Sequence, residues 1–287
     1  MKRMKFTRRH GMKAGMSALS AGFLRAREAP DLTRSIPAAS PDALTGSQFA
    51  ESVLNMDRKE RERAILDQLV AGNLPSFLRK LVPVKLRSEL ASGKEDSVTI
   101  FIMPEYLAIG SDGDFLRIPM NLHTATAVAS RFGFVLPTRK IVDAIYDQAS
   151  CHFTPQPLPA GPQMTSTEYY RMHNAMIDKQ SQSLGFPPGA LVAGHKKDVV
   201  LTNRLVTHPG QIAIYGWHRA KGSPIQPLST VHGAGYADYS HGIRLVAKMA
   251  TIDGKPRSVL EILHDPKLAG LLSDEGPIRL APTFGDA

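Results

Sequence analysis

The stretch "SVTIFIMPEYLAIGSDGDFLRIPM", residues 97–120, decides the fold class of this chain. It contains three runs rich in Val, Ile, Leu and Phe, which are separated by Pro104 and by the turn "SDGD" and end at Pro119. Short apolar runs bounded by turn residues are typical of β-strands. Because segments with helical periodicity lie on both sides of this stretch, the sequence predicts an α+β fold.

The flanking helices are predicted from apolar spacing and stop signals. Residues 48–73 place apolar side chains three and four positions apart and end at Gly72, which fits two helices. Residues 123–134 form a helical pattern that stops at Gly133, and residues 137–150 form another. The first half of the chain is therefore predicted to mix helices with strands.

A proline-rich segment breaks the chain near its middle. Residues 153–162, "FTPQPLPAGP", contain four prolines and favour an extended connector. Residues 165–182 then predict a helix, whose stripe of Tyr169, Met172 and Met176 is expected to face the core. Short strands are predicted beyond it at 190–194, 198–206, 211–218, 242–251 and 257–263, with a short helix at 266–272.

These patterns divide the 287 residues into four parts. The predicted parts are a leader at 1–34, an α+β region at 35–152, a Pro-rich connector at 153–163, and a helix plus a β-rich domain at 164–287. The composition, with 43% hydrophobic and 21% charged residues, is that of an ordered globular protein.

The net charge of +9 is concentrated in the leader. Residues 1–34 carry nine Lys and Arg against two acidic residues, so the remainder of the chain is close to neutral. Binding to nucleic acid depends on clustered cations that contact phosphates. We therefore do not expect a nucleic-acid partner.

The leader contains a recognisable motif. The segment "TRRHGMK" resembles the twin-arginine export signal, and the matching residues are Thr7, Arg8, Arg9 and Lys13. A mildly apolar run follows at 14–24 and is too short to be a permanent transmembrane anchor. The resemblance implies a protein exported in the folded state to the periplasm or beyond. The alternative is that the leader is only the basic tail of a cytoplasmic protein.

The single cysteine offers little chemistry. One Cys cannot form an intramolecular disulfide, so the fold must be stabilised by its core. Cys151 is expected at the end of a helix and before a run of prolines, whereas an activated thiolate is usually held at a helix N-terminus or beside a base. A catalytic role for Cys151 is not expected.

The histidines are unevenly distributed along the chain. Eight of the ten lie between residues 152 and 264. We expect strand ends to gather His195, His218, His232 and His241 near one another, because functional side chains are often placed on loops at the edge of a rigid sheet.

The segment "HGAGYADYSHGIR", residues 232–244, carries the predicted catalytic group. An imidazole of His232 or His241 can act as general base, Asp238 can orient it, and Arg244 can bind a substrate carboxylate. The glycines in this segment permit the bends that would bring both faces of a strand together. The competing interpretation is a hydrogen-bonded seam that only fixes strand pairing.

Other polar residues extend this hypothesis. The residues predicted to bind substrate are His195, Lys196, Tyr236 and Tyr239. The candidate metal ligands are His218, His232, Asp238 and His241, which are suitable ligand types for an open catalytic Zn²⁺ site. The pattern from Ser229 to Asp238 is similar to the "SxHxxGxAxD" signature of zinc D-Ala-D-Ala carboxypeptidases, shifted by one residue. No metal is required by the general-base version of the site.

A second resemblance concerns the same segment. "SHGIRL" resembles the "SHGCIRL" signature of the L,D-transpeptidases, which remodel peptidoglycan, and it runs from Ser240 to Leu245. The catalytic Cys of that signature has no counterpart between Gly242 and Ile243, so the chain cannot form a thioester intermediate there. Ser240 is not expected to replace it, because side chains of adjacent strand residues point apart.

Two function classes follow from these observations. The first is an exported hydrolase that acts on a cell-envelope polymer or peptide, with peptide or amide bonds of peptidoglycan as the expected substrate. The second is a non-catalytic protein that binds such a polymer on a degenerate enzyme scaffold. The dense His, Asp, Tyr and Arg residues favour the enzyme, and the missing Cys favours the binding protein.

Overall fold

A computed structural model describes residues 32–89 and 95–279. It confirms the α+β class. The helices in these ranges are α1 (Gly46–Ser52), α2 (Arg58–Val70), α3 (Leu122–Phe132), α4 (Arg139–Gln148), α5 (Thr167–Leu184), α6 (Arg204–Thr207) and α7 (Val259–His264). The strands are β1 (Val82–Glu89), β2 (Glu95–Ile102), β3 (Ala108–Gly110), β4 (Phe115–Arg117), β5 (Phe134–Val135), β6 (Cys151–His152), β7 (Val192–Ala193), β8 (Lys197–Val199), β9 (Gln211–Ala220), β10 (Ser223–Gly233), β11 (His241–Gly242), β12 (Val246–Ala247), β13 (Met249–Ile252) and β14 (Lys255–Ser258).

The stretch that predicted the strands forms them as expected. It supplies most of β2 and all of β3 and β4, and the "SDGD" turn joins β3 to β4 as an antiparallel pair. The turn is closed by the backbone N–H of Ser111, which donates to the carbonyl of Asp114 at 3.0 Å. The turn chemistry of Ser, Asp and Gly thus sets this hairpin.

The largest sheet joins segments that are far apart in sequence. Its strand order is β14-β13-β2-β12-β5, and β1 pairs with β2 in addition. Strand β2 precedes the proline-rich connector, whereas β12 and β13 follow it, and both pair with β2. The main apolar core likewise extends from Ile36 to Ile278. The two predicted regions therefore share a sheet and a core.

A second sheet positions the candidate site. Its strand order is β10-β9-β8-β11, with β11 parallel to β8. In this register His241 lies opposite Lys197, and Gly242 lies opposite Asp198. This pairing places Lys197, and the histidine and lysine that precede it, beside the candidate segment at His241.

Side-chain caps and a glycine stop set the helix boundaries. Asn121 accepts a hydrogen bond from the N–H of Thr124 at the start of α3, and Gly133 ends that helix in the left-handed region at φ 75°. Thr138 caps α4 and Ser166 caps α5 in the same side-chain manner. Because a left-handed C′ position favours glycine, the stop at Gly133 has a direct conformational cause.

The predicted core stripe of α5 is only partly correct, because Tyr169 packs against the core whereas Met172 does not. Met172 is 44% exposed, while Tyr170, His173 and Ile177 are buried. The hydroxyl of Tyr170 donates to the carbonyl of Ala237 at 3.3 Å. The buried face of α5 therefore combines apolar packing by Tyr170 and Ile177 with a hydrogen bond to the segment that contains Ala237.

Three local expectations are also corrected. The strand predicted at 257–263 is mostly helix α7, because Ser258 accepts a hydrogen bond from the N–H of Glu261 and starts a helix there. Cys151 lies buried in β6 rather than at a helix end. The helix predicted at 266–272 is only a 3-10 turn at Ala269–Leu271.

Residues 1–31, which make up nearly all of the leader, lie outside the described residues. Nothing in the structure therefore bears on the twin-arginine motif or on the apolar run after it. Among the residues that the structure describes, no helix is both long and apolar enough to span a membrane.

Candidate functional site

The loop between β10 and β11 replaces the expected continuous strand. Within it, Oδ1 of Asp238 accepts hydrogen bonds from the backbone N–H of Ser240 at 2.8 Å and from the Ser240 hydroxyl at 2.5 Å. The N–H of His241 donates to the Asp238 carbonyl at 3.0 Å. This side-chain-stabilised turn brings two residues together that a flat strand would place on opposite faces.

Asp238 and His241 form a buried acid–base pair. Oδ2 of Asp238 lies 3.8 Å from Nε2 of His241, and their side chains are 2% and 0% exposed. Neither ring nitrogen of His241 has a hydrogen-bond partner among the described residues. The distance exceeds that of a hydrogen bond, so the carboxylate acts on the ring through its charge.

The protonation states of the pair follow from burial and from charge. Burial lowers the pKa of His241 to about 4, against the opposing effect of the Asp238 carboxylate. Burial alone would raise the pKa of Asp238, but His241, Lys197 and the Ser240 hydrogen bonds outweigh it and hold that pKa below its ordinary value. At neutral pH the pair is therefore an ionised carboxylate beside a neutral imidazole.

Two aromatic rings cover this pair. His232 and Tyr236 are stacked with ring centroids 4.1 Å apart, and both are partly exposed. The hydroxyl of Tyr236 donates to Oδ2 of Asp238 at 3.2 Å, and its ring meets that of His241 edge-on at 5.7 Å. Burial raises the pKa of Tyr236 to about 12, so its hydroxyl remains a donor at neutral pH.

Two lysines of the neighbouring segment differ in their surroundings. Lys196 is buried, donates to the carbonyl of Tyr239 at 2.6 Å, and has a pKa lowered by burial to about 7. Nζ of Lys197 lies 5.4 Å from the centre of the Trp217 ring, and its pKa is lowered by burial against the effect of Asp238. Both lysines interact with Asp238 by charge, and Lys197 is among the groups that lower the pKa of Asp238.

The contacts of Tyr239 indicate a structural role. It is buried, and its hydroxyl accepts from the N–H of Leu158 at 2.8 Å and donates to the Leu158 carbonyl at 3.3 Å. A hydroxyl engaged in this way fixes the connector against the loop.

Arg244 is not brought to the Asp238–His241 pair. It is fully buried, and its Nη1 and Nη2 donate to the carbonyls of Met103 and Val192 at 3.2 and 2.8 Å. Its guanidinium also lies 4.2 Å from the centre of the Tyr106 ring. Because both Nη atoms donate to main-chain carbonyls, we do not assign Arg244 the predicted role of binding a substrate carboxylate.

The four histidines expected to gather lie in separate environments. His195 is hydrogen-bonded to Glu105 at 2.7 Å, while His218 is hydrogen-bonded to Asp143 at 3.0 Å. Only His232 and His241 meet, through the ring of Tyr236. These histidines lie in or just before strands of the same sheet, but their side chains have different partners, so the sheet does not gather all four.

The candidate metal ligands are divided in the same way. His218 belongs to the Asp143 cluster, where the hydroxyl of Tyr215 also donates to Asp143 at 2.8 Å. In the part of the chain that the structure describes, no group of three or more His, Cys, Asp or Glu residues has an arrangement that could hold a metal ion. The donor set His218, His232, Asp238 and His241 therefore does not fit the predicted Zn²⁺.

Sequence reasoning missed two features of this region. Trp217 is a buried residue with φ of 57°, a left-handed backbone conformation that is rare for a side chain of its size. Glu105 is a buried carboxylate that binds both His195 and Arg117. Its position in an apolar run after Pro104 was the available signal, because a buried acid requires partners.

Comparisons with known proteins leave the family open. No protein-family model, no curated protein and no solved structure matches this chain.

Proposed function

We propose that the protein is a hydrolase that cleaves peptide or amide bonds of a cell-envelope polymer, with peptidoglycan as the expected substrate. The observation that carries the proposal is the buried pair of an ionised Asp238 and a neutral His241 with no hydrogen-bond partner on either ring nitrogen among the described residues. A neutral imidazole beside a carboxylate is the arrangement that a general base requires.

The pair supports a direct attack by water. In this step the lone pair of water forms a bond to the amide carbon, a ring nitrogen of His241 takes the water proton, and the carbonyl oxygen becomes an oxyanion. Asp238 stabilises the imidazolium by its charge, as in other acid–base pairs. His241 then returns the proton to the leaving nitrogen as the C–N bond breaks.

Two neighbouring groups can stabilise the oxyanion, of which the Tyr236 hydroxyl does so only after its hydrogen bond to Asp238 has broken. The Tyr236 hydroxyl remains protonated at neutral pH, and the Lys197 amine lies near enough to Asp238 to influence its ionisation. A phenol donor or an ammonium ion stabilises the charge that develops on the carbonyl oxygen. Both residues lie beside the Asp238 carboxylate, and neither takes over its role of stabilising the His241 imidazolium.

The proposal requires access to a buried ring. His241 has no exposed surface, and the partly exposed Tyr236 and His232 rings cover the pair. Substrate entry therefore requires this stacked pair to move away from Asp238. A lid of this kind keeps bulk water out of the site until a substrate is bound.

The leader supports the cellular location. Its twin-arginine resemblance favours export to the periplasm or beyond, where peptidoglycan is found, and a protein exported by this route crosses the membrane in the folded state. A cytoplasmic location follows instead if the leader is only a basic tail.

A second candidate is a protein that binds an envelope polymer without cleaving it. The complete burial of His241 favours this candidate, because a catalytic base must meet its substrate. The first candidate predicts cleavage of the polymer, and the second predicts binding without cleavage.

The deciding experiment uses the full chain and purified peptidoglycan. Soluble fragments released over time are identified by mass spectrometry, with His241→Asn as the test variant and His123→Asn as the matched control on an exposed helix position. We expect fragments from the wild type and the control and none from His241→Asn. Binding without fragments from the wild type would reject the hydrolase and support the binding protein.

A further inference from the structure

A cleft on another part of the molecule has the character of a ligand site. Its volume is about 480 Å³, and it lies between α5, the β3–β4 hairpin and the segment at 186–192. Clefts of this size commonly hold small molecules or short peptide segments. Four aromatic rings line it, those of Phe77, Phe115, Phe153 and Phe186.

Arg117 supplies the polar part of this cleft. Its side chain is only 3% exposed, and its Nε donates to Oε2 of Glu105 at 3.0 Å. Its Nη1 donates to Oδ1 of Asp178 at 2.7 Å and to Oδ1 of Asn174 at 3.1 Å. Among the described residues Nη2 has no hydrogen-bond partner, so this nitrogen is the donor that remains for a ligand.

The charges around Arg117 restrict which ligand group can accept a hydrogen bond from Nη2. The charged residues that line the cleft are three carboxylates, Glu105, Asp114 and Asp178, and two guanidiniums, Arg117 and Arg171. Arg244 lies outside this lining and acts on Glu105 by its charge. Burial lowers the pKa of His195, which keeps this partner of Glu105 neutral at pH 7. A ligand carboxylate would meet a net negative cluster, whereas a neutral carbonyl oxygen accepts from Nη2 without that repulsion.

Asp178 provides the complementary acceptor. Glu105 is buried and already accepts from Arg117, His195 and the backbone N–H of Tyr106. The Asp178 side chain is 40% exposed and lines the same cleft. A carboxylate has about four lone-pair positions, so Asp178 can accept a further N–H donor from a ligand.

We propose that this cleft binds a short, uncharged apolar peptide segment. One amide carbonyl accepts from Nη2 of Arg117, a neighbouring N–H donates to Asp178, and an apolar or aromatic side chain packs between Phe115 and Phe186. The proposal is independent of the hydrolase, because it assigns binding to a set of residues that the Asp238–His241 pair does not share.

Calorimetric titration of the full-length protein tests this assignment with three probes. N-acetyl-phenylalanine amide carries the amide and the ring, N-acetyl-phenylalanine carries a carboxylate in place of the terminal amide, and N-acetyl-glycine amide lacks the ring. We expect the first probe to bind at least about tenfold more tightly than either of the others.

Two variants keep the test specific. Asp178→Asn and Phe186→Ala alter the cleft at partly exposed positions, while Met172→Ala changes an exposed position of α5 that does not line the cleft. We expect each cleft variant to weaken the first probe about tenfold and the control to leave it unchanged, with circular dichroism verifying the fold. Preference for the carboxylate probe, no binding of the first probe, or equal binding by all variants would overturn the proposal.

Discussion

Nε2 of His241 lies 3.8 Å from Oδ2 of Asp238, in a place where neither side chain is appreciably exposed. The turn centred on Asp238 produces this relationship, because Oδ1 holds Ser240 while Oδ2 faces the imidazole. One carboxylate therefore both shapes the loop and sets the electrostatic environment of the histidine. These two roles can be separated by substitution.

Asp238→Ala and Asp238→Asn separate shape from charge. Alanine removes the acceptor for the N–H and hydroxyl of Ser240, so we expect a loss of about 1 to 3 kcal/mol of unfolding free energy. Asparagine keeps an acceptor oxygen and removes the charge, so a smaller loss is expected. Denaturant unfolding measures both. Equal stability of the two variants would show that the Ser240 contacts do not hold the turn.

The burial of His241 predicts an acid-sensitive fold. Its pKa falls from 6.5 to about 4 in the folded protein, so the unfolded chain binds more protons between these values and stability falls as the pH falls. The contribution is fully present above 6.5 and decreases toward pH 4. At 1.36 kcal/mol for each pKa unit, it is on the order of 3 kcal/mol.

Denaturant unfolding at several pH values between these limits checks this effect. We expect His241→Gln to show a shallower decrease in unfolding free energy on acidification than the wild type does. The exposed His123→Asn variant should follow the wild type. Parallel curves for wild type and His241→Gln would mean that His241 is not desolvated.

The close packing around Gly242 predicts that the β8–β11 pairing requires a glycine at this position. A Cβ at this position would lie 2.6 Å from Cδ1 of Tyr106 and 2.8 Å from Cβ of Lys196. We expect Gly242→Ala to cost about 1 to 3 kcal/mol, since overpacking displaces well-packed neighbours. Gly235→Ala, where nothing lies within 4 Å of the added atom, is the matched control in thermal unfolding. A stable Gly242→Ala protein would contradict the close packing of β11.

Arg244 is predicted to stabilise the fold. Arg244→Met leaves the carbonyls of Met103 and Val192 without their buried donors, so a loss of about 2 to 4 kcal/mol is expected. The exposed Arg219→Met variant should lie within about 0.5 kcal/mol of the wild type. Denaturant unfolding compares the two. An Arg244→Met protein of wild-type stability that no longer binds substrate would restore the carboxylate-binding role.

Local chemistry in the sequence was sufficient for several elements. The "SDGD" turn and the stop at Gly133 were predicted, because each depends on the residues within a few positions of it. Strand β1 was not predicted, and neither was the pairing of β12 with β2. Such pairings are set by contacts between distant segments, which local patterns do not encode.

The site was predictable to a similar extent. The segment that joins Asp238 to His241 was identified from its residue types, and their meeting depends on a turn whose glycines and serine are visible in the sequence. The dispersal of His195 and His218 was not predictable, since it follows from their pairing with Glu105 and Asp143 on distant elements. Burial of a charge requires a partner, and tertiary structure decides which one.

The protonation state of the His241 ring can be observed directly. Nitrogen chemical shifts of the ring, recorded by NMR on the ¹⁵N-histidine-labelled protein from about pH 5.5 to 8, distinguish neutral imidazole from imidazolium. Comparison with His241→Asn assigns the signal. The account predicts a neutral ring throughout this range, available to accept a proton beside the Asp238 carboxylate. A ring that is protonated at about pH 6 or above would contradict it.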